Sequence, residues 1–241
     1  MSRPSPFPRI RLPQGIAFAL CGPADAVQPL PEERALLSPQ ALPERIAEFA
    51  RGRAAARRAL QKIGVADAER IPILREGARA PRWPAGIVGA IAHSAGWAAA
   101  ACAQREAFRG VGIDLERVRP VKQSLAARIA RPDELAAWLA LPAARQPLAF
   151  TRMFSAKESI YKALFPATGV FLGYQDASVS WTSPAAPDAP EDEGERGFAW
   201  TLHKDSGADY PAGYHGNGRA WLGGGMVLTA LWIKMRPATP C

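Results

Sequence analysis

Cysteine and histidine are both scarce in this chain of 241 residues, at three each. Cys21, Cys102 and Cys241 are odd in number, far apart and in no CxxC spacing. That excludes a disulfide framework and a zinc site built on cysteine pairs. Phosphate-binding glycine signatures are missing as well. Neither GxxxxGK[ST] nor GxGxxG occurs, so the chain does not read as a generic nucleotide-binding ATPase or kinase. Long apolar runs are absent: "GWAAAACA" (Gly96–Ala103) is far too short to span a bilayer. The opening "MSRPSPFPRIRLPQG" has four prolines and no apolar core of a signal peptide. The expectation is a cytoplasmic protein with no stable membrane association. There are no heptads or solenoid periods, and no sequence repeat that would prove duplication.

What is present is an ordinary globular composition, 48% hydrophobic and 22% charged, long enough for one large domain or two small ones. The net charge is not ordinary. It is +8, with a pI near 9.9, and residues 1–120 hold 18 Lys and Arg against 11 acids while the remainder is nearly balanced. Such a surface attracts anions: phosphates, nucleic acid, acidic proteins or anionic lipid. It also serves solubility alone. Nucleic acid is not the expected partner despite 24 arginines. No helix-turn-helix grammar, RNP-like aromatic motif or zinc-finger spacing is found.

The chain reads as helices followed by strands, twice. "GIAFAL" (Gly15–Leu20) suits a short strand, and Pro31–Gly64 carries helical spacing in Ile46, Phe49, Ala56, Leu60 and Ile63. Ile87–Ala103 reads as strand, turn and strand, followed by "GVGIDLE" (Gly110–Glu116). Helical patterns return over Ser124–Leu141, interrupted at Pro132, and over Arg145–Phe165. "DASVSW", "GFAWTLH" and "GGMVLTALWI" then read as strands, with a polar, acidic loop between Thr182 and Gly197.

Two stretches carry the chemistry. Along Gly110–Glu116, alternation puts Val111, Ile113 and Leu115 on one face and Gly112, Asp114 and Glu116 on the other. The Asp114 and Glu116 Cα atoms are roughly 7 Å apart, so the two carboxylates are close enough to share a cation, with room beside Gly112. Taken alone, the feature fits a solvent-facing strand edge somewhat better. In "FSAKESIYKAL" (Phe154–Leu164), Ser155, Glu158 and Lys162 share a helix face and Lys157 stands beside them. Glu158 and Lys162 alone fit an exposed ion pair. Three carboxylates together suit Mg²⁺, and adjacent lysines suggest phosphate oxygens as its other ligands.

The paired motifs resemble the signature of the 4′-phosphopantetheinyl transferases, of the long two-subdomain type that acts on siderophore, peptide and polyketide synthases. "EFARGRAAARRAL" (Glu48–Leu60), "RAPRWPAGIVGAIAH" (Arg79–His93) and "FPATGVFLGYQDASV" (Phe165–Val179) follow in the family's order, over roughly residues 31–180. The resemblance implies a Mg²⁺-dependent (or Mn²⁺-dependent) enzyme that uses coenzyme A as co-substrate and apo acyl or peptidyl carrier domains as acceptors. Asp114, Glu116 and Glu158 would hold the metal, and Glu158 would also help deprotonate the acceptor serine. Lys162 would contact the α-phosphate. Arg45, Arg53 and His93 would bind nucleotide phosphates, and Arg75, Glu76, Gly77 and Ala78 would border the adenine. Leu172 would lie along the pantetheine arm or near the carrier. Where the family has Ser or Thr, this chain has Ala92, which is expected to weaken coenzyme A binding without abolishing activity.

Plainer roles stand beside these. Arg57 reads as a solvated helix position, and Arg45 and Arg53 could be the same. His93 could be structural, and Trp83 reads as packing. A homologue that binds coenzyme A or a carrier without catalysing transfer is also compatible with the motifs. The implied fold is α+β: two similar αβ subdomains in pseudo-twofold arrangement, each a small antiparallel sheet packed on helices. The division falls at residues 1–119, which bind the nucleotide, and 120–241, which carry the catalytic helix. One chain supplies both halves of the cleft, so a monomer is expected.

Overall fold

The computed structural model describes residues 5–7, 9–77, 80–182 and 193–235. The first half holds strand β1 (Ile16–Cys21), a helical turn α1 (Pro31–Arg34) and the long helix α2 (Pro43–Lys62). A short hairpin, β2 (Leu74–Glu76) with β3 (Ala80–Arg82), precedes β4 (Ile87–Ser94), β5 (Trp97–Gln104) and β6 (Phe108–Arg117). Helices α3 (Gln123–Ile129), α4 (Pro132–Leu139) and α5 (Gln146–Thr168) follow, then strands β7 (Ala177–Trp181), β8 (Gly194–Leu202), β9 (His215–Gly223) and β10 (Met226–Lys234). Pro43, Pro132 and Pro147 each sit in a helix's first turn, where a missing N–H costs nothing. Gly169 ends α5 with φ of 68°, the left-handed cap that glycine adopts freely.

All ladders are antiparallel. One sheet runs β1-β5-β4 and the other β6-β10-β9-β8-β7. The α+β architecture of antiparallel sheets on helices is as the sequence implies. The two sheets face each other across a shared core. Val88, Ala90 and Ala92 of β4 and Ala99 and Ala101 of β5 meet Val111, Ile113 and Leu115 of β6 and Leu228 of β10. The outer face of the first sheet is almost all alanine and cysteine and packs on Ala54–Ala56, Ala59 and Leu60 of α2. The outer face of the second packs on Ile160, Ala163 and Leu164 of α5. Strand β6 precedes residue 120 in sequence but hydrogen-bonds to β10, while its apolar face packs against the first sheet. The functional residues stand where the ends of β4 and β6 come together.

Candidate active site

On β6 the apolar residues turn inward, and Gly110, Gly112 and Asp114 turn toward α5. A Cβ on Gly112 would lie 1.9 Å from the Ser159 carbonyl oxygen, and one on Gly110 would lie 2.3 Å from that of Ala163. Space left by the glycines is therefore filled by helix backbone and is not room for an ion. This face is no solvent-facing edge: Asp114 is 4% exposed. Its Oδ1 accepts from Lys162 Nζ at 2.6 Å, while Oδ2 is buried with no hydrogen-bond partner. Glu116 Oε2 accepts weakly from Ser94 Oγ at 3.4 Å. Burial, and then the Asp114 charge, push the Glu116 carboxyl up to about 7 against the pull of Lys162 and Arg119. Burial draws Lys162 down, but Asp114, Glu158 and Glu116 outweigh it and hold the ammonium above its usual range.

Helix α5 distributes its polar residues differently from the sequence reading. Glu158 and Lys162 emerge at the rim beside Asp114. Ser155 is fully buried, its hydroxyl 2.9 Å from Thr229 Oγ1 on β10, and Ser159 lies 2.7 Å from the same hydroxyl. Lys157 is not beside the carboxylates at all. Its Nζ donates to Glu134, to the Ile129 carbonyl and to the Tyr174 carbonyl at 2.6, 3.0 and 2.9 Å. Successive helix residues point about 100° apart, so Lys157 faces α3 and α4 while Glu158 faces the cleft. Glu158 Oε1 accepts from the Tyr174 hydroxyl at 2.7 Å, a contact that sequence spacing gave no signal for.

A cationic cleft of about 270 Å³ opens next to this cluster, lined by Arg45, Phe49, Arg53, Arg75, Ile91 and His93, among others. Alternation explains His93. Ala92 turns inward, 3% exposed in the shared core, and His93 turns outward toward α2. A hydroxyl at position 92 would therefore enter the core, not the cleft, so Ala92 is no phosphate contact through its side chain. Arg53 is 8% exposed and stacks on Phe49 at 4.3 Å. Burial, with repulsion from Arg75, Arg57 and Arg45, lowers it to about 10 against the attraction of Glu33. Its Nε is buried without a hydrogen-bond partner. Burial, Arg45 and Lys162 lower the His93 imidazole, opposed by Glu48 and Asp114, so this ring senses both halves of the site. Four basic groups line this cleft, one with an orphaned donor, a setting that suits an anion.

Other candidates fall elsewhere. Arg57 is not solvated: it is buried against Glu33, whose Oε1 also accepts from the Ile73 N–H. Leu172 is 7% exposed and packs in the core under α5, so it does not reach the cleft. Its neighbour Phe171 is 59% exposed. Glu76 lines a second cleft, of about 220 Å³, with Trp83, Arg105, Arg109 and Lys162. Gly77 is at the exposed hairpin tip, and Ala78 lies outside the described residues. On the other side of the acids, a third groove of about 570 Å³ runs past Glu116 and Tyr174. Its walls are Val121, Leu125, Phe150 and Phe154, and its rim carries Arg117, Arg119, Lys122 and Arg128.

A hard divalent cation fits this donor set. Asp114 Oδ2 is an unpaired buried carboxylate oxygen, and Glu116 beside it is only weakly hydrogen-bonded. Among the described residues, no group of three or more His, Cys, Asp and Glu is arranged to hold a metal by itself. A cation here would therefore take part of its shell from water or phosphate oxygens. No helix among the described residues is long and apolar enough to cross a membrane.

Comparison with known proteins gives the family. Residues 32–103 match the sequence model of the 4′-phosphopantetheinyl transferase N-terminal domain, and residues 110–215 that of the 4′-phosphopantetheinyl transferase superfamily. The chain is 37% identical to 4′-phosphopantetheinyl transferase PptT of Mycobacterium tuberculosis, over 70% of this chain and 72% of that protein. It belongs to the 4′-phosphopantetheinyl transferase superfamily. Another member, 4′-phosphopantetheinyl transferase Svp of Streptomyces mobaraensis, is 38% identical over 66% of this chain and 63% of its own length. Enterobactin synthase component D of Salmonella typhi is 35% identical over 57% of this chain and 55% of its own. The two family matches together take in the cationic cleft, the acid pair and the whole of α5.

Proposed function

We propose that this protein transfers the 4′-phosphopantetheine group of coenzyme A to a serine of an apo acyl or peptidyl carrier domain, releasing 3′,5′-ADP. The observation that carries the reading is the buried, unpaired Asp114 Oδ2 next to an arginine-lined cleft with its own unpaired donor. Arg45, Arg53 and His93 grip the nucleotide phosphates, and Arg75, on the wall of the same cleft, borders the base. Asp114 and Glu116, with Glu158 at the rim, would hold Mg²⁺ or Mn²⁺ together with phosphate oxygens of the substrate, and the bound cation would neutralise the pyrophosphate. The acceptor serine oxygen attacks the phosphorus that bears pantetheine, and the bond from that phosphorus to the bridging oxygen of the pyrophosphate breaks. Glu158 takes the serine proton, directly or through water. Lys162 steadies the charge that develops on the departing α-phosphate. Phosphoryl transfer of this kind asks for positioning and charge neutralisation more than covalent help.

The apolar groove past Glu116 and Tyr174, rimmed with four basic residues, suits an acidic carrier approaching from the side opposite the nucleotide. Residues 1–119 form the nucleotide-binding unit and residues 120–241 the catalytic one, with β6 shared between them. The protein acts as a cytoplasmic monomer, since one chain supplies both walls of the cleft. Buried, free Cys21 and Cys102 suit a reducing compartment. The test is the intact mass of an apo peptidyl carrier after incubation with enzyme, coenzyme A and Mg²⁺. A gain of one phosphopantetheine unit that disappears with EDTA, Asp114→Ala or Glu158→Ala is expected. Unchanged mass with several apo carriers would overturn the assignment, and retained coenzyme A binding would then indicate a non-catalytic member.

A further inference from the structure

Tyr174 lies in the turn between α5 and β7, yet three separate interactions fix it beside the acids. Its backbone carbonyl accepts from Lys157 Nζ at 2.9 Å, and that lysine side chain is 1% exposed and paired with Glu134. Its ring packs on Phe154 at 5.5 Å between centroids, and Phe154 in turn stacks on Phe150. Its hydroxyl then donates to Glu158 Oε1 at 2.7 Å. Among the described residues Glu158 has no other hydrogen-bond partner, so the phenol sets the direction in which the carboxylate points. Holding a short chain of contacts this firmly restricts Glu158 to one orientation, which is what a proton acceptor needs in order to meet its donor at hydrogen-bond range.

We infer that Tyr174 is the positioning residue for Glu158, aiming its carboxylate at the acceptor serine, with Lys157 as the buried anchor of that tyrosine. The inference rests on the proposed transfer reaction and adds a residue to it. Tyr174 does not touch the cationic cleft, so it orients the acid without helping to bind the nucleotide. The two lysines of the motif thus have separate roles. Lys162 faces the phosphates, and Lys157 acts through Tyr174.

The test compares wild type, Tyr174→Phe, Glu158→Gln and the double variant in the carrier-mass assay, run as initial rates against coenzyme A. Phenylalanine keeps the ring packing, and thermal melts check that each variant folds. Tyr174→Phe is expected to lower kcat about tenfold, as for a lost hydrogen bond to a charged group. KM for coenzyme A and the melting temperature stay at wild-type values. In the Glu158→Gln background, the same change adds little further loss. An unchanged kcat, a loss confined to KM, or an equal loss in the Glu158→Gln background would each overturn the positioning role. Wild-type protein that modifies no carrier would instead overturn the transfer reaction itself, and this role with it.

Discussion

Asp114 and Arg53 present the same physical anomaly with opposite signs. Each is nearly buried, and each keeps one polar atom without a partner: Oδ2 in the acid, Nε in the arginine. Folded proteins rarely leave such groups unsatisfied, because an unpaired buried donor or acceptor forfeits its hydration. A substrate that brings phosphate oxygens to Arg53 and, through a cation, to Asp114 satisfies both at once. On the proposed function, Arg53 would contribute to binding more than to the fold. Arg53→Gln removes a cation already repelled by Arg45 and Arg75 and held near 10. Thermal or denaturant unfolding of the ligand-free variant is expected within about 1 kcal/mol of wild type, the stacking on Phe49 being a small loss. Calorimetry should show coenzyme A binding weakened about tenfold or more. Unchanged affinity would remove Arg53 from the phosphate site. Residues of this kind were legible in sequence only in part. The motif named Arg53, His93, Asp114 and Glu158, whereas the orphaned atoms that give Asp114 and Arg53 their meaning arise from burial that no spacing reveals. Arg57 shows the opposite case. It lies one helical turn from Arg53 and has the same chemistry, yet Glu33 neutralises it.

At the scale of elements, the site depends on how closely α5 lies on β6. Gly110 and Gly112 bring helix backbone onto strand backbone, and this contact holds Lys162 within 2.6 Å of Asp114. Gly112→Ala puts a methyl carbon where the Ser159 carbonyl oxygen stands. Helix or strand must shift, and the expected destabilisation in urea is about 1–3 kcal/mol. Activity should fall further than stability alone accounts for, because separating the two elements opens the ion pair. A variant as stable and active as wild type would show that the contact is not needed. The helix and the alternating strand were both readable in sequence, since α5 has helical spacing and β6 alternates cleanly. The glycines read as room beside the carboxylates, because a missing side chain looks the same whether solvent or a helix fills it. Strand β9 was not readable at all. Gly216, Asn217 and Gly218 are poor strand formers. They pair opposite β8, where Phe198 lies across Gly218 and Trp200 across Gly216, so the partner's aromatic rings supply the packing that β9 lacks.

At the scale of the whole molecule, basic charge lies on two different kinds of surface. In the proposed reaction the nucleotide would meet arginines held at short range in a partly buried cleft, where dissolved salt screens weakly. A carrier would meet an exposed rim, with Arg117, Arg119, Lys122 and Arg128 around an apolar groove, on a protein of net charge +8. Attraction of that second kind acts over roughly 30 Å at 0.01 M salt and roughly 10 Å at 0.1 M. It speeds encounter more than it strengthens the final complex. The two substrates are therefore expected to respond differently to ionic strength. Between low salt and about 0.3 M NaCl, kcat/KM for an acidic apo carrier should fall about tenfold, with kcat nearly constant and KM carrying the change. The KM for coenzyme A should move far less over the same range. Replacing Arg119 and Lys122 together with glutamine should flatten the carrier's salt dependence while leaving the coenzyme A response as it was. If the carrier's kcat/KM did not respond to salt, the basic rim would have no part in capture, and the excess charge of this chain would serve the nucleotide and solubility alone.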